Sequence, residues 1–461
     1  MYLNEKISFK GEWFLPSQQD QRLVGELTYD PSSGSMLNVH GNFSGEILST
    51  SNQTYDIVIG LVEGSRYITL YNVFLINSGR VSFVKDAETS LPNCTYCVNY
   101  FFVDFAATCV EDLCFTAANV HFHNLDEWLG ISGFGYSYDS WDRTKKKATI
   151  QYKLPKPIEF SLPYTGTTAK FDIEFNGSPI NIFNKEVTLT QRTYFRLDFE
   201  TERSLDDIQN IVSIFQQFLI LGTYQGTYID SFTLIHKECK KPVQFYFTSS
   251  SLDSYKLISP LDALFNYGVI RKNFTKIITR WYDLCDRMDG VLWLYTERFL
   301  DEKHFSVNDF LNMAQVVESF HSLLYNHPRE NAEKYKARVK RIVGQVSKKD
   351  QEFVKSKLIQ GNNLILAERL EELANKCPSD VVSIFIADVE TFLKQVKDSR
   401  NYYTHYTKSG KKHVVEGAGL IRLTEQLKLL LTCNILVYLK FSKQQIIKII
   451  ENKKYHFGQL K

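Results

Sequence analysis

The sequence has almost no excess of either charge and no apolar run long enough to cross a membrane. Its 461 residues carry a net charge of only +2, so a surface that binds nucleic acid would have to be a local patch. The most apolar late stretch, 427–439, is interrupted by Lys428, Thr432 and Asn434. It is also well short of the roughly 20 residues that a transmembrane helix needs. We therefore expect no membrane partner.

The first residues also lack the apolar core of a signal peptide, because Glu5, Lys6 and Lys10 interrupt them. We therefore expect a cytoplasmic protein, in which the eight cysteines are thiols or metal ligands and not disulfides. The sequence contains no repeat of fixed period and no low-complexity linker. Its hydrophobic content of 44% is enough for two or three domains, each with a core of its own.

Two kinds of hydrophobic spacing divide the chain. Up to about residue 255, short alternating and aromatic stretches separated by turns predict antiparallel strands. One helix interrupts them at 204–221, opened by a cap of Ser204 and Asp207. After about residue 258, apolar residues three or four apart predict helices. We predict an α+β protein with a β-rich N-terminal half (1–255, an antiparallel sandwich or barrel) and an all-α C-terminal bundle (256–461).

The most regular apolar stripe of the C-terminal half runs into a polar cluster. The stripe from Val382 to Val396 continues, at about 100° per residue, onto Arg400, where a core helix would place another aliphatic residue. Asn401 and His405 are one turn apart, so their side chains are neighbours if the helix persists. The glycine-containing segment 407–419 then ends the pattern. A chance arrangement of an amphipathic arginine, a capping asparagine and an incidental histidine is the plainer alternative.

Basic and aromatic residues surround this cluster. Between residues 394 and 413 there are six Lys or Arg and one acid, Asp398. Such a patch offers charge for phosphates and rings for base stacking, although a solvated helix end is the alternative. The candidate RNA-binding residues are Lys397, Tyr402, Tyr403, Tyr406, Lys408, Lys411 and Lys412.

Three separate stretches carry a resemblance to a known family. "RNYYTH" (400–405) resembles the Arg-Asn-x-x-x-His signature of HEPN ribonucleases. "DFLNMAQVVESFHSLLY" (309–325) resembles the helix that carries a glutamate and a histidine in the ApeA-like branch, and 11–41 resembles the start of the ApeA N-terminal domain. The resemblance implies a HEPN bundle behind a β-rich domain that senses or regulates. It also implies a role in bacterial abortive-infection defence against phage.

The resemblance implies metal-independent cleavage of RNA, in which the ribose 2′-hydroxyl attacks the adjacent phosphate. His405 would be the general acid or base, since an imidazole exchanges protons near neutral pH. Arg400 would hold the scissile phosphate, and Asn401 would orient the histidine or the phosphate. Glu318 and His321, three apart on one helix face, would either support Arg400 or form a buried polar pair.

Each chain supplies one such histidine, so the resemblance also implies a homodimer or higher homo-oligomer that joins two HEPN domains. A phage-derived trigger would release the enzyme from restraint by the N-terminal half. The main alternative is a non-catalytic sensor or adaptor that binds a nucleotide or RNA, which needs the positive charge but not His405. A metal-dependent nuclease is a third hypothesis, against which stands the lack of an Asp/Glu/His cluster in the sequence that suits magnesium.

Half of the cysteines fall within 21 residues of the N-terminal half. Their spacing is C-x2-C followed by C-x4-C, and four thiolates so arranged can close a tetrahedral zinc site. We predict structural Zn²⁺, with His121 and His123 as substitute ligands; buried thiols placed by a strand are the alternative. The four candidate ligands are Cys94, Cys97, Cys109 and Cys114.

Overall fold

A computed structural model describes residues 2–44, 53–81, 91–138, 148–178, 187–248, 257–300, 305–406 and 413–460. It separates into two compact units, Met1–Thr275 and Lys276–Lys461. The boundary expected at residue 255 lies outside the described residues. The first unit is rich in strands and the second consists of helices, as the hydrophobic spacing predicts.

The first unit contains fourteen described strands and two complete α-helices, together with a one-turn helix at its end. The strands are β1 (Ile7–Phe14), β2 (Leu23–Asp30), β3 (Gly34–His40), β4 (Thr54–Val62), β5 (Arg66–Val81), β6 (Leu91–Val103), β7 (Cys114–Phe122), β8 (Phe134–Tyr138), β9 (Ala148–Tyr152), β10 (Ile158–Ser161), β11 (Thr167–Gly177), β12 (Leu189–Ser204), β13 (Ile229–Ile235) and β14 (Val243–Phe247). The helices are α1 (Leu125–Leu129), α2 (Leu205–Thr223) and α3 (Tyr267–Ile270).

Six strands close into an antiparallel barrel in the order β1-β2-β3-β6-β5-β4. The long strand β6 closes it, because β6 pairs with β5 along one edge and with β3 along the first part of the other edge. The interior is apolar and tightly filled. Trp13 is fully buried, and its ring lies against Gly60 on the neighbouring strand, where an added Cβ would lie 2.3 Å from the ring. Gly60 therefore makes room for the largest side chain of this core.

The second part of β6 pairs with β14 and so joins the barrel to the rest of the same twelve-stranded sheet, in which six further strands follow the order β10-β11-β12-β7-β13-β14. Helix α2 packs on this sheet, with the Phe215 ring stacked on Phe195 at a centroid distance of 4.1 Å. The predicted cap is present, since the side chain of Ser204 accepts a hydrogen bond from the backbone N–H of Asp207. Strands β8 and β9 pair as a separate two-stranded sheet.

Helix α4 (Phe274–Arg287) leads from the first unit into the second. The remaining helices are α5 (Trp293–Leu300), α6 (Val307–Tyr325), α7 (Ala332–Gly344), α8 (Gln351–Leu358), α9 (Leu366–Lys376), α10 (Ser379–Phe385), α11 (Val389–His405), α12 (Ala418–Tyr438), α13 (Lys443–Glu451) and α14 (Lys454–Phe457). Helices α6 and α9 contact each other, and each of them also contacts α11 and α12, so that the four helices form the bundle. Helix α12 is its centre, because its second half is buried almost all round.

The apolar stripe from Val382 to Val396 is not one helix. The chain leaves helical geometry at Ile386 and begins α11 after Asp388, whose carboxylate accepts hydrogen bonds from the backbone N–H groups of Glu390 and Thr391. An N-cap of this kind starts a new helix with its own direction. No helix among the described residues is long and apolar enough to span a bilayer.

Candidate functional site

The candidate site lies on the last turn of α11. The earlier turns fix this helix through the buried side chains of Phe392, Val396 and Ser399. The helix ends at His405, because Tyr406 adopts a left-handed conformation (φ 49°) and its N–H closes a hydrogen bond to the Tyr402 carbonyl. Such a residue terminates a helix. The polar residues therefore lie on a helical turn that packs against the bundle on one side only.

Arg400 connects this turn to α6. Its Nη2 lies 3.5 Å from Oε2 of Glu318, and its Nη1 is 3.5 Å from Oδ1 of Asn401. Both contacts are long, and 38% of the arginine side chain is exposed. A guanidinium has five N–H donors, so most of them remain available to an anion. Glu318 therefore orients a cation that is still able to receive a phosphate.

Asn401 and His405 are exposed and lie one helical turn apart. The backbone beneath them is regular, with the hydroxyl of Thr404 donating to the Arg400 carbonyl at 2.7 Å. A neutral imidazole can accept a proton on one nitrogen and donate from the other, and an amide can donate and accept. The turn therefore offers a cation, an amide and a proton-transfer group together on the surface of the second unit.

Three tyrosine rings form a cluster at the same helix end. Tyr402, Tyr403 and Tyr406 have centroid separations of 5.2, 5.6 and 6.2 Å. Tyr403 has a structural role, since its hydroxyl donates to the carbonyl of Val415 at 2.9 Å and burial raises its pKa. Tyr406 is 64% exposed and is the ring most open to a stacking partner.

The basic residues of the expected patch are only partly described. Lys397 lies on α11 with its Nζ 3.4 Å from Oδ1 of Asp398. Lys408, Lys411 and Lys412 lie outside the described residues. Their part in RNA binding stays a prediction.

His321 is fully buried on α6 and does not bond to Glu318. Its Nε2 lies 2.7 Å from Oε2 of Glu372, and its Nδ1 lies 3.2 Å from Nη1 of Arg369. Because a guanidinium can only donate, Nδ1 must accept and Nε2 must carry the hydrogen. Burial lowers the pKa of His321, which agrees with this neutral tautomer.

Glu372 joins the buried histidine to an exposed one. Its Oε1 lies 2.9 Å from Nε2 of His327. Partial burial opposes ionisation, but the bonds to both imidazoles lower the pKa of the Glu372 carboxyl. Sequence reasoning missed Arg369, Glu372 and His327, because their partners are up to 51 positions away along the chain.

The four cysteines do not lie on one surface. Cys94 points into the barrel with Tyr96, whereas Cys97, an odd number of positions away on β6, is on the other face. Cys109 is exposed before a short 3₁₀ turn, and Cys114 begins β7. In the part of the chain that the structure describes, no group of three or more His, Cys, Asp or Glu residues is arranged so that it could hold a metal ion. Zinc binding stays a prediction, for which the zinc content of the purified protein is the test.

The two histidines considered as substitute ligands lie in a network of acids. His121 has Nε2 3.3 Å from Asp126 and Nδ1 3.2 Å from Asp230, and the Nδ1 of His123 is 3.9 Å from Asp230. Burial alone would lower the pKa of His121, but the hydrogen bonds and charges of the two aspartates outweigh it and raise that pKa to about 9. We therefore expect His121 to be a half-buried cation in the first unit at neutral pH.

Comparisons with known protein families cover both units. The family described as ApeA N-terminal domain 1 matches residues 8–281, and the family described as Apea-like HEPN matches residues 311–445. The second match includes most of α6 and all of α9 and α11, and so contains Glu318, Arg400, Asn401 and His405. HEPN domains are typically ribonucleases. No curated protein and no solved structure matches the chain. With a family match over more than half of its length and a second over its helical part, the chain belongs to the ApeA-like HEPN family.

Proposed function

We propose that this protein is a metal-independent endoribonuclease that acts in abortive-infection defence and cleaves RNA when phage infection triggers it. The observation that carries the proposal is the last turn of α11. There a half-exposed arginine, held by Glu318, lies beside an exposed amide and an exposed imidazole. The Apea-like HEPN match over the same residues supports it.

The proposed reaction needs two proton transfers. The 2′-oxygen attacks the adjacent phosphorus as a base removes its proton, and a 2′,3′-cyclic phosphate forms as the bond from phosphorus to the 5′-oxygen breaks. An acid delivers a proton to that 5′-oxygen. His405 serves in one of these transfers, and the imidazole of a second copy of the chain serves in the other.

Arg400 and Asn401 contribute positioning and charge. Negative charge builds up on the non-bridging oxygens during the attack, and the guanidinium donates hydrogen bonds to them. The contact with Glu318 holds the Arg400 side chain in place before RNA binds, so this side chain loses less conformational entropy on binding. Asn401, adjacent to Arg400 and one turn from His405, orients the phosphate or the imidazole.

Because the two histidines come from two chains, we propose a homodimer, or a larger homo-oligomer, joined through the HEPN domains. An unregulated ribonuclease would damage its own cell, so restraint by the N-terminal domain and release by a phage-derived trigger complete the proposal. The alternative is a sensor or adaptor that binds RNA or a nucleotide without cleaving it.

Phage infection of bacterial cells distinguishes the ribonuclease from the non-catalytic sensor or adaptor. Bacteria that carry the wild-type protein and bacteria that carry His405→Ala are challenged with phages that the wild type restricts. For a nuclease, fragmented RNA and arrest of growth follow infection of the wild-type cells only. Equal protection by His405→Ala, with intact RNA in both strains, would establish the adaptor and overturn the nuclease.

A further inference from the structure

The most strongly charged surface of the second unit is the helical hairpin of α7 and α8, with its connecting turn (331–360). It contains nine Lys or Arg and three Asp or Glu, a net charge of +6 in a chain whose total is +2. In the sequence the hairpin lies between α6 and α9, which are two helices of the bundle. It carries none of the candidate catalytic residues.

The hairpin is amphipathic but has no interior of its own. No residue of α7 or α8 is buried. Its aliphatic residues at helical spacing, such as Val339 and Ile342, are half-buried, whereas all nine basic side chains are exposed. Such a helix pair has no need of this charge for folding, because exposed like charges oppose compaction.

Few of these charges are neutralised by the protein itself. Arg338 forms an ion pair with Glu330 at 2.9 Å. Within the described residues, no carboxylate lies within 4.0 Å of the other eight basic side chains. A concentrated, unpaired positive surface attracts a polyanion and gains from the counterions that are released.

The base of the hairpin is clamped to the bundle. Arg329 forms an ion pair with Glu368 on α9 at 2.7 Å and also donates to the Gly361 carbonyl at 2.9 Å. The amide of Asn362 donates to the carbonyl of Glu330 at 3.0 Å. The charged surface is therefore held in a fixed place on the HEPN domain, which lowers the entropy lost when a ligand binds.

One exposed ring accompanies the charges. Phe353 is 64% exposed, and the Nζ of Lys357 lies 5.6 Å from its ring centroid. A ring beside a cation suits an unpaired base next to a phosphate. An apolar stripe suited to a membrane surface would be wider, since Phe353 and Ile359 are the large apolar side chains that the hairpin exposes most.

We propose that the α7–α8 hairpin binds the phosphate backbone of single-stranded RNA outside the cleavage site, so that the enzyme favours long RNA over short fragments. The proposal rests on the proposed function for RNA as the substrate. The α11 turn supplies the chemistry and the hairpin supplies affinity that does not depend on base sequence.

Charge-removing variants test this in the full-length chain. All proteins carry His405→Ala to prevent cleavage; one also carries Lys334→Gln, Lys336→Gln and Lys340→Gln on the hairpin. The matched control carries three exposed lysines changed to glutamine on α13 and α14 of the same unit: Lys443, Lys448 and Lys454. Both triple variants lose the same charge.

Binding is measured over a salt series with single-stranded RNA of about 8 and about 40 nucleotides. Each lost phosphate contact lowers the slope of log Kd against log salt by about 0.7, so the hairpin variant should lose up to about 2 in slope. It should bind the longer RNA about 10-fold more weakly at moderate salt, and the α13–α14 control should bind like the parent. The shorter RNA should show little difference among the three proteins.

Equal effects of the two triple variants on the longer RNA would overturn the proposal. A hairpin variant that binds RNA normally but changes the oligomer mass, or its binding to anionic lipid vesicles, would also overturn it and identify a second copy or a membrane as the occupant. The ribonuclease is judged separately, by cleavage of the shorter RNA with His405 intact. If the protein with His405 intact does not cleave the shorter RNA, but the hairpin variant shows the expected loss in the slope of log Kd against log salt, the ribonuclease proposal is contradicted. The RNA-binding surface on the hairpin is then still supported.

Discussion

Arg400 needs both a fixed position and N–H donors that remain open to a ligand. The contact with Glu318 supplies the position, and its length and the exposure of the guanidinium leave donors for a phosphate. A carboxylate so close also repels the phosphate that Arg400 is expected to bind. We therefore expect Glu318 to act as a positioning residue for Arg400, with a charge that weakens RNA binding while the positioning aids turnover.

Replacing Glu318 with Gln should separate these two effects. We expect RNA binding to become equal or up to about 3-fold tighter, because a negative charge is lost, and kcat to fall about 10-fold, because Arg400 is less well oriented. Binding of uncleavable RNA and single-turnover cleavage rates measure the two quantities.

The control is Glu390→Gln, which removes the ion pair between Glu390 and Lys394 at the other end of α11. It should leave binding and turnover unchanged. Weaker RNA binding by Glu318→Gln with an unchanged kcat would show that Glu318 does not act through Arg400.

His121 gives the first unit a specific dependence on pH. Its pKa is raised from 6.5 to about 9 in the folded protein. A group whose pKa is raised by folding contributes its full stabilisation at pH values below its pKa in the unfolded chain. This contribution disappears as the pH rises from about 6.5 through about 9. The shift corresponds to at most about 3 kcal/mol.

We therefore expect the unfolding midpoint of the wild type to fall between pH 6.5 and 9 relative to that of His121→Gln, which lacks the titrating group. Denaturant unfolding of the two proteins across this range measures the difference. Parallel pH profiles would mean that His121 is not charged between its two aspartates.

Among the elements, the C-terminal end of α11 combines a proposed RNA-binding residue with local backbone strain. Tyr406 adopts φ 49° and is exposed, although this conformation favours glycine. A bulky residue retained there at a cost of about 1 kcal/mol is consistent with a role for its ring outside folding. The open face of that ring suits stacking on an RNA base.

Tyr406→Gly should therefore be more stable than the wild type by about 1 kcal/mol and bind RNA more weakly by about 1–3 kcal/mol. Lys440→Gly is the matched control, since Lys440 is exposed, has φ 65° and follows α12 in the same unit. It should gain stability without losing RNA affinity. A Tyr406→Gly protein that binds RNA like the wild type would remove Tyr406 from the RNA-binding surface.

Elements with local signals were predictable from sequence. The hairpin of β2 and β3 and the start of α2 were predictable because turn residues and a serine cap act on neighbours a few positions away. Closure of the barrel by β6 was not, since β6 pairs with strands up to about 60 residues earlier in the chain. The break at Ile386 was missed because apolar periodicity continues across it, and periodicity cannot register a change of direction.

The site divides in the same way. The placement of Arg400, Asn401 and His405 on one turn is local and was predictable, whereas Glu318 and His321 do not form the buried polar pair that was one alternative. That Glu318 and His321 lie on one helix was predictable. The partner of each was not, because α9 supplies Glu372 and Arg369 to His321 while α11 supplies Arg400 to Glu318. Spacing on one helix indicates a shared face but does not indicate what that face meets.

The proposed mechanism uses one proton-transfer histidine from each chain, so the whole molecule must assemble before it can cleave RNA. We expect the cleavage rate per chain to be proportional to the fraction of chains that are assembled. It should therefore fall as dilution produces monomer. Mass measurements and cleavage rates on the same dilution series test this. A constant rate per chain through the transition to monomer would show that a single chain carries both the acid and the base.

We propose that the last turn of α11 cleaves RNA without a metal. The most direct test is to incubate purified RNA with the wild type and with His405→Ala in EDTA, and to identify the new 3′ ends. We expect 2′,3′-cyclic phosphate ends with the wild type and a loss of at least about 100-fold in rate with His405→Ala. Cleavage that EDTA abolishes, or cleavage that His405→Ala retains in full, would contradict it.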